Sequence, residues 1–582
     1  MLALDESKLS RTKKRSAQMK LVRAPFESHW QEIEDVMLPT RGQFLTNDVE
    51  RGEREDQEIL DCTATLSLRA LSSGFLGGYT SPSRPWFSFT VANDMLAETD
   101  PVKSWCYRQQ TKMQTRFQKA NLYNALSELY EDAAAFGTSV MLIEEDLLDV
   151  FRFYVLPIGS YWIAQNERQV VDCLYREFRM TVRQLIEKFG QDHEGGEIDW
   201  SKFSTYVRDQ YEIGNYETWV DVAHMLQPNE DYRPRSKFNR YKKFSSCYYE
   251  LGSSGSSVYE TDGDERYLRE SGYDYFPAVC ARWNRTHGQV YATNCPGMTA
   301  LGDVNALQVM VRRALQAIEK MVNPPTNAPL SLKTQGATVV AGETNWSTDG
   351  KGVTPVHEID PRIQELREYI EETRQRIRAV FFEDVILMLT RSDLRNMTAT
   401  EIEARNDEKM LSFGPVLQQL NDGVIEPMID ICFAMSVKWD ELNGEFDPAP
   451  EEIQGMDLKV EYVSMMALAQ KAVEIGPLER FTNFAQLIIK DNPSAAMKID
   501  FDELLEVYAK LATLQPNIVR TKDEVAAMRE AQAKAQAQQV QMEQIQGGAK
   551  AAKDLSQTDM TNDSALKRLV DTVNAGRPRR AA

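Results

Sequence analysis

A chain of 582 residues exceeds what one hydrophobic core normally organises, so about three to five folding units are expected. Hydrophobic residues make up 42% and charged residues 26%, with 22 Tyr, 23 Phe and 9 Trp, which excludes a mainly disordered chain. The formal charge of −20 argues against a protein that grips nucleic acid over its whole surface by neutralising phosphates, although it leaves DNA possible as cargo.

The N-terminal stretch Lys8 to Arg23 carries Lys8, Arg11, Lys13, Lys14, Arg15, Lys20 and Arg23 without an apolar core, which is unlike a secretory signal. No apolar run approaches the length of a membrane span. A cytoplasmic site of synthesis is the expectation, and with it reduced thiols. The seven cysteines, Cys62, Cys106, Cys173, Cys247, Cys280, Cys295 and Cys432, are widely spaced, lack a C-x-x-C pair, and read as core residues rather than disulfide partners or zinc ligands.

Amphipathic periodicity predicts helices around Phe26 to Met37, Gln57 to Phe75, Val102 to Phe117 and Leu122 to Phe136. Between them, Ser72 to Phe89 (SSGFLGGYTSPSRPWFSF) should end a helix and begin a short strand, with Trp86 and Phe87 as core anchors. Rising β-branched and aromatic content predicts strands at Val140 to Glu144, Val150 to Leu156 and Val170 to Phe178. A helix from Thr181 to Phe189 closed by Gly190 follows, then strands at Glu217 to His224, Ser245 to Glu250 and Ala278 to Trp283, with SSGSS at 253–257 as a loop. The fold class is mainly α with α+β regions.

From Leu301 to Val322, Val304, Leu307, Val311, Ala314, Ile318 and Met321 recur at three- and four-residue steps, the pattern of a coiled-coil seam. Asn323, Pro324 and Pro325 stop that helix. A second opens with Asp360 as cap and Pro361 at its first position, and continues the spacing through Ile363, Leu366, Ile370, Thr373, Ile377 and Val380. Its outer face places Glu372 and Arg376, and Glu371 and Gln375, four residues apart. The residues between the helices include the alternating Ala337 to Ala341 and several glycines, which suggests a small β-containing lobe at the tip of a helical pair. Spacing alone fits an ordinary antiparallel hairpin equally well.

Thr398 and Glu401 form a capping signal for another long helix, which Pro415, Gly423 and Pro427 should bend. Residues 450 to 515 read as a further helical unit, and Val525 to Gln546, Ala/Gln-rich and capped by Thr521 and Glu524, as a solvated or self-associating helix before a disordered tail.

Catalytic signatures are missing. There is no phosphate loop, since Gly350-Lys351 lacks the upstream glycine, and no G-x-S-x-G, G-x-G-x-x-G or H-E-x-x-H. The five histidines, His29, His193, His224, His287 and His357, are scattered, and the His357-Glu358-Ile359-Asp360 run is better explained by strand alternation and helix capping than by a metal. No cofactor and no enzymatic activity are expected. The basic N-terminal stretch and the terminal Arg577-Pro-Arg579-Arg580 could touch a polyanion, but solvated tails explain them as well.

Taken in order, several segments resemble the portal proteins, or head-to-tail connecting proteins, of podovirus-type phages over roughly residues 10 to 520. They are His29-Trp30 through Pro39, Asp61 to Thr63, SGFLGGYTSPSRPWF from Ser73, FGTSVMLIEE from Phe136, FRMTVRQLIEKFG from Phe178, PGMTALGDVNAL from Pro296, AIEKMVNPP from Ala317 and MTATEIEAR from Met397. The family's Y-G-x-x-P-G turn is altered here, because Tyr291 is followed by Ala-Thr-Asn-Cys before Pro296-Gly297.

The resemblance implies a ring, usually of twelve copies, with a wing, a two-helix stem, a small α/β clip and a helical crown. Mapped onto this chain, residues 1–297 are a wing, 298–322 and 361–390 the stem, 323–360 the clip and 391–398 a channel loop. A long kinked wing helix at 399–449, a crown at 450–520 and a helix with tail at 521–582 complete the map. Arg391 and Arg395 in the channel loop and Lys333 and Lys351 in the clip are candidates for contact with DNA or a partner, with solvated surface charge the competing reading. Val304, Leu307, Val311, Ile318, Ile363, Leu366, Ile370 and Ile377 form the stem seam. The implied partners are further copies of the chain, the terminase large subunit, tail adaptor proteins, major capsid and scaffold proteins, and double-stranded DNA as non-specific cargo, at the head-tail vertex of a virion. A packaging ATPase or nuclease subunit, and an internal scaffold or core protein, are the alternatives.

Overall fold

A computed structural model describes residues 8–44, 59–83, 85–91, 99–190, 197–251, 267–322, 326–327, 354–355, 363–383, 414–455, 458–462, 480–486, 499–511 and 528–538, with single positions at Asn93, Leu96, Leu478, Ile488, Lys490 and Val525. Residues 1–471 form one compact unit and 472–582 a second.

In the first unit, helix α1 (Lys8–Met37) precedes α2 (Thr63–Gly78), strand β1 (Phe87–Val91), α3 (Asp100–Lys119) and α4 (Leu122–Phe136). The N-terminal basic stretch is thus the first half of a long helix, not a tail. Lys8 pairs with Glu270, Lys20 with Glu177, and the buried Arg23 donates to the carbonyls of Gly159 and Tyr161 while lying 3.9 Å from the Trp162 ring. Trp86 and Phe87 are both buried, as the sequence predicts.

Strands β2 (Thr138–Asp146) and β3 (Val150–Leu156) pair in a three-stranded sheet with β9 (Ala278–Arg282), in the order β3-β2-β9. A five-stranded antiparallel sheet runs β4-β5-β6-β7-β8, with β4 at Tyr161–Gln165, β5 at Val171–Thr181, β6 at Trp219–Pro228, β7 at Phe244–Glu250 and β8 at Arg269–Tyr273. Alternation sorts its faces. Cys173, Tyr175, Ala223, Met225 and Tyr249 pack with Met19 of α1, while Val220, Val222 and Tyr248 pack with α5 (Val182–Phe189) and α6 (Thr205–Ile213). A reciprocal capping box between Thr181 and Gln184 starts α5.

Helix α7 (Pro296–Val322) is followed by an antiparallel pair of two-residue strands, β10 (Thr326–Asn327) and β11 (Thr354–Pro355), and then by α8 (Ile363–Val380). Residues 414–443 are helical, with a π-helical stretch at Asn421–Ile425 leading into α9 (Glu426–Asn443). The widened turn falls between Pro415 and Pro427, on the stretch where the sequence predicts a bend. Pro427 has no N–H to give, and Gly423 lets the backbone pass β9, since a Cβ there would lie 2.9 Å from the Cys280 carbonyl.

Strand β12 (Leu458–Tyr462) pairs antiparallel with β1, so the segment from 450 is not wholly helical. Its LKVEY alternation is a strand pattern, short and set among helical stretches. In the second unit, residues 480–486, α10 (Phe501–Leu511) and 528–538 are helical. The predicted caps at Asp360, Thr398 and Thr521, and the loop at 253–257, lie outside the described residues.

The main core is continuous across α1 to α4, the β1-β12 pair, the β3-β2-β9 sheet, α7, α8 and α9. Six cysteines are buried, whereas Cys62 is exposed at the start of α2 rather than in the core. Burial pushes the Cys106 and Cys280 thiols up to about 11. Among the described residues no helix is long and apolar enough to cross a membrane.

Candidate assembly helices and their anchor

Helix α7 starts inside the core. Gly297 passes so close to α4 that a Cβ would stand 2.1 Å from the Ala135 carbonyl oxygen, which explains a glycine in the first turn of a helix. The preceding turn is held by Tyr291, buried against Phe26 and Trp30, whose indole N–H donates to the Phe136 carbonyl at 3.1 Å. Ala292, where the family pattern has glycine, donates its N–H to Thr138 Oγ1 at 2.9 Å and packs on Gly137. Gly137 itself has φ +80, closing α4 in the left-handed region. The motifs at Trp30, Phe136 and Pro296 thus converge on one junction, and they build structure rather than chemistry.

With 27 residues, α7 is about 40 Å long. Ala300, Val304 and Leu307 lie on one stripe and are buried. The same stripe continues through Val311, half-buried, to Leu315, Ile318 and Val322, which are 53%, 45% and 80% exposed. Among the described residues the predicted seam is therefore covered by its own chain at Val304 and Leu307, half-buried at Val311 and Ala314, and exposed at Ile318 and Met321, the last at 48%. On α8, Ile370, Thr373 and Ile377 are buried and Leu366 is half-buried; the side chain of Ile363 lies outside the described set.

One acidic residue ties both helices to the body. Asp61 Oδ1 accepts from the Thr63 N–H and hydroxyl, and Oδ2 accepts Nε and Nη2 of Arg374 on α8 at 2.9 and 2.7 Å. From α7, Gln308 Oε1 accepts the N–H groups of Leu60 and Asp61, and its Nε2 donates to the Asp61 carbonyl at 2.8 Å. Burial raises the Asp61 carboxyl, but the hydrogen bonds from Thr63 and Arg374 outweigh it and hold the pKa below its ordinary value. The Asp61 to Thr63 motif was visible in the sequence. Its partners were not, because Gln308 and Arg374 lie far away and carry no local signal.

The charged face of α8 also differs from the spacing rule. Arg376 reaches across to Asp303 on α7 at 3.3 Å, and Glu371 takes Arg374 and Arg378, so the pairs link helices and turns other than the expected Glu372–Arg376. Arg391, Arg395, Lys333 and Lys351 lie outside the described residues.

A cavity of about 580 Å³ opens beside α3, lined by Arg108, Lys112, Arg116, Lys119 and Trp439 among others. Three of its cations are occupied: Lys112 and Arg116 hold the buried Asp440, and Arg108 holds Asp447. Among the described residues no group of three or more His, Cys, Asp or Glu side chains could hold a metal ion. The chemistry on offer is packing and charge pairing along two helices.

A helical pair tied to the body by a buried clasp, with an apolar stripe exposed at one end among the described residues, offers a packing surface, the kind of feature that serves a structural protein. The chain belongs to the bacteriophage head to tail connecting protein family, whose model matches residues 9–519. It is 36% identical over 574 residues, 98% of this chain and 99% of the relative, to the portal protein of Salmonella phage epsilon15. It is also 35% identical over 555 residues, 95% of this chain and 96% of the relative, to the probable portal protein of Bordetella phage BPP-1.

Proposed function

We propose that this connector works as the portal of a short-tailed phage, assembling into a ring, of twelve copies as is usual in the family, through which DNA is packaged and ejected. Helices α7 and α8 are each subunit's stem, and β10 and β11 begin a clip that occupies 323–360. The clip docks the terminase large subunit during filling and tail adaptor proteins afterwards, and the wing meets the major capsid and scaffold proteins at the head-tail vertex. Arg391 and Arg395 in a channel loop, and Lys333 and Lys351 in the clip, supply weak contacts to DNA or to those partners. The protein hydrolyses nothing itself.

One observation carries the reading: among the described residues the α7 stripe that is buried at Ala300, Val304 and Leu307 runs on exposed through Leu315, Ile318 and Val322. An apolar seam of this kind on a helix that leaves a core is stable in water when another chain covers it. Side and axial views of the purified protein by electron microscopy test it. A closed ring with a central hole and a narrower helical stem is expected; monomers, or open filaments without a hole, overturn it.

A further inference from the structure

Between β6 and β7 the chain runs Arg233-Pro-Arg235-Ser-Lys237-Phe-Asn-Arg240-Tyr-Lys242-Lys243, six cations in eleven residues without an acid, inside a protein of net charge −20. Lys242 is committed to Asp274 at 2.6 Å. Arg233, Arg235, Lys237, Arg240 and Lys243 are exposed, and none is in an ion pair with an acid among the described residues. Aromatic rings stand among them: Phe238 is 71% exposed and Tyr232 46%, and Arg233 and Arg240 lie 4.2 and 4.6 Å from the Tyr241 ring.

The loop is built rather than slack. Backbone bonds link Asn229 to Lys243 and Arg233 to Tyr241, each at 2.9 Å, and the Asn229 amide donates to the carbonyls of Arg240 and Lys242. Its base rests on β8 at Gly272, where a Cβ would come within 2.5 Å of the Asn239 carbonyl. A second basic segment joins it. Arg11 and Arg15 of α1 contact Glu230 and Gln227 beside the loop, which places the exposed Arg11 and Lys13 at the same end of the sheet.

We infer that this loop, with the first turns of α1, is a binding site for the phosphate backbone of double-stranded DNA. Unpaired cations held in place by a folded hairpin release counterions on meeting phosphates and lose little entropy in doing so. Arginine and lysine interleaved with exposed rings is a nucleic-acid pattern more than an acidic-protein one. Because its cations lie on an exposed connection at the end of a sheet, the loop suits the phosphates of a duplex backbone better than splayed single-stranded bases. This goes beyond the connector reading, which places DNA contacts in the channel loop and clip, and it does not require the ring.

The test is fluorescence anisotropy of a labelled duplex of about 30 base pairs with the full chain, titrated at salt concentrations from about 50 to 200 mM. Two variants are compared: Arg233→Ala, Arg235→Ala, Lys237→Ala, Arg240→Ala and Lys243→Ala together, and a charge-matched control with Arg69→Ala, Lys103→Ala, Arg168→Ala, Arg183→Ala and Arg208→Ala. All ten side chains are exposed. Circular dichroism and elution volume monitor folding and assembly. The loop variant should lose about 10-fold or more in affinity and flatten the slope of log affinity against log salt by about 3 to 4, while the control changes both little. Equal losses in both variants, no duplex binding by the wild type at about 50 mM salt, or a loop variant that stops self-associating yet binds DNA as before would each overturn the inference.

Discussion

The Arg374 guanidinium presents two nitrogens to a single oxygen of Asp61, at 2.9 and 2.7 Å, across 313 residues of sequence. Asp61 is almost fully buried and Arg374 about one-third exposed, so the pair is stronger than a surface bridge but partly screened. With Gln308 holding the same turn from α7, a single loop ties both α7 and α8 to the body. Asp61→Asn should cost about 1–3 kcal/mol in thermal or denaturant unfolding. Combined with Arg374→Gln the losses should fall short of the sum by about 1 kcal/mol. Additive losses would show that the fork does not couple the two groups.

How much of this was legible in sequence depends on how local the cause is. Strand β3 matches its predicted bounds because alternating bulky residues write a strand directly, and Thr181 and Gln184 mark the start of α5 by a local capping box, whereas Gly190 ends it without a left-handed turn. Strand β8, with the sequence RESGY, was invisible: its Gly272 and charged residues answer to the neighbouring loop and to α1, not to β propensity. The α7 seam was legible as a stripe, yet only the fold shows where its cover ends. The basic loop at 233–243 escaped because a whole-chain charge of −20 hides a local excess, although a charge count in short windows would have found it.

His224 gives a pH signature. It is buried, stacks on Tyr248 at 3.7 Å and accepts a hydrogen bond from Arg176 Nε at its Nδ1, so its proton must sit on Nε2, facing Ser246. Burial, then the charges of Arg176, Lys188 and Arg269, drive its pKa well below the ordinary value, with Glu144 the acid beside Arg176 and Lys188. In the unfolded chain the ring protonates below about pH 6.5, while the folded protein keeps it neutral. The unfolded state then binds the extra proton. Stability therefore falls as pH drops, by up to about 1.4 kcal/mol per unit in that range. Unfolding of His224→Gln, followed from pH 7.5 to 5 (about the range of histidine titration), should lack that component of the slope; an unchanged slope assigns it elsewhere.

Two glycines of α7 make opposite predictions. In a helix interior Gly→Ala ordinarily stabilises by about 1 kcal/mol. Gly302 has nothing within 4 Å of a built Cβ, so Gly302→Ala should follow that rule. At Gly297 the added methyl meets a main-chain carbonyl that α4 cannot easily withdraw, and Gly297→Ala should instead cost about 2–4 kcal/mol. Melting temperatures of the two variants decide the matter, and the same sign in both would mean that α7 does not seat on α4 as described.

The uncovered end of the α7 seam separates folding from assembly. Leu315 and Ile318 contribute little to their own chain's core, being 53% and 45% exposed, so Leu315→Glu with Ile318→Glu should leave the isolated subunit's unfolding within about 0.5 kcal/mol of wild type. Covering such side chains is worth about 1.5–3 kcal/mol each, and a carboxylate forced into the covered seam reverses the sign. In a ring that term recurs at every subunit boundary, so assembly should fail while the fold survives. Mass photometry and electron microscopy should show folded monomers in place of rings. The matched change at the buried end, Val304→Glu, should instead unfold the subunit, because there the seam is closed by α7's own chain. Rings that form normally with both glutamates present would mean that the exposed half of the stripe is not a subunit contact, and would remove the main support for α7 as a stem helix.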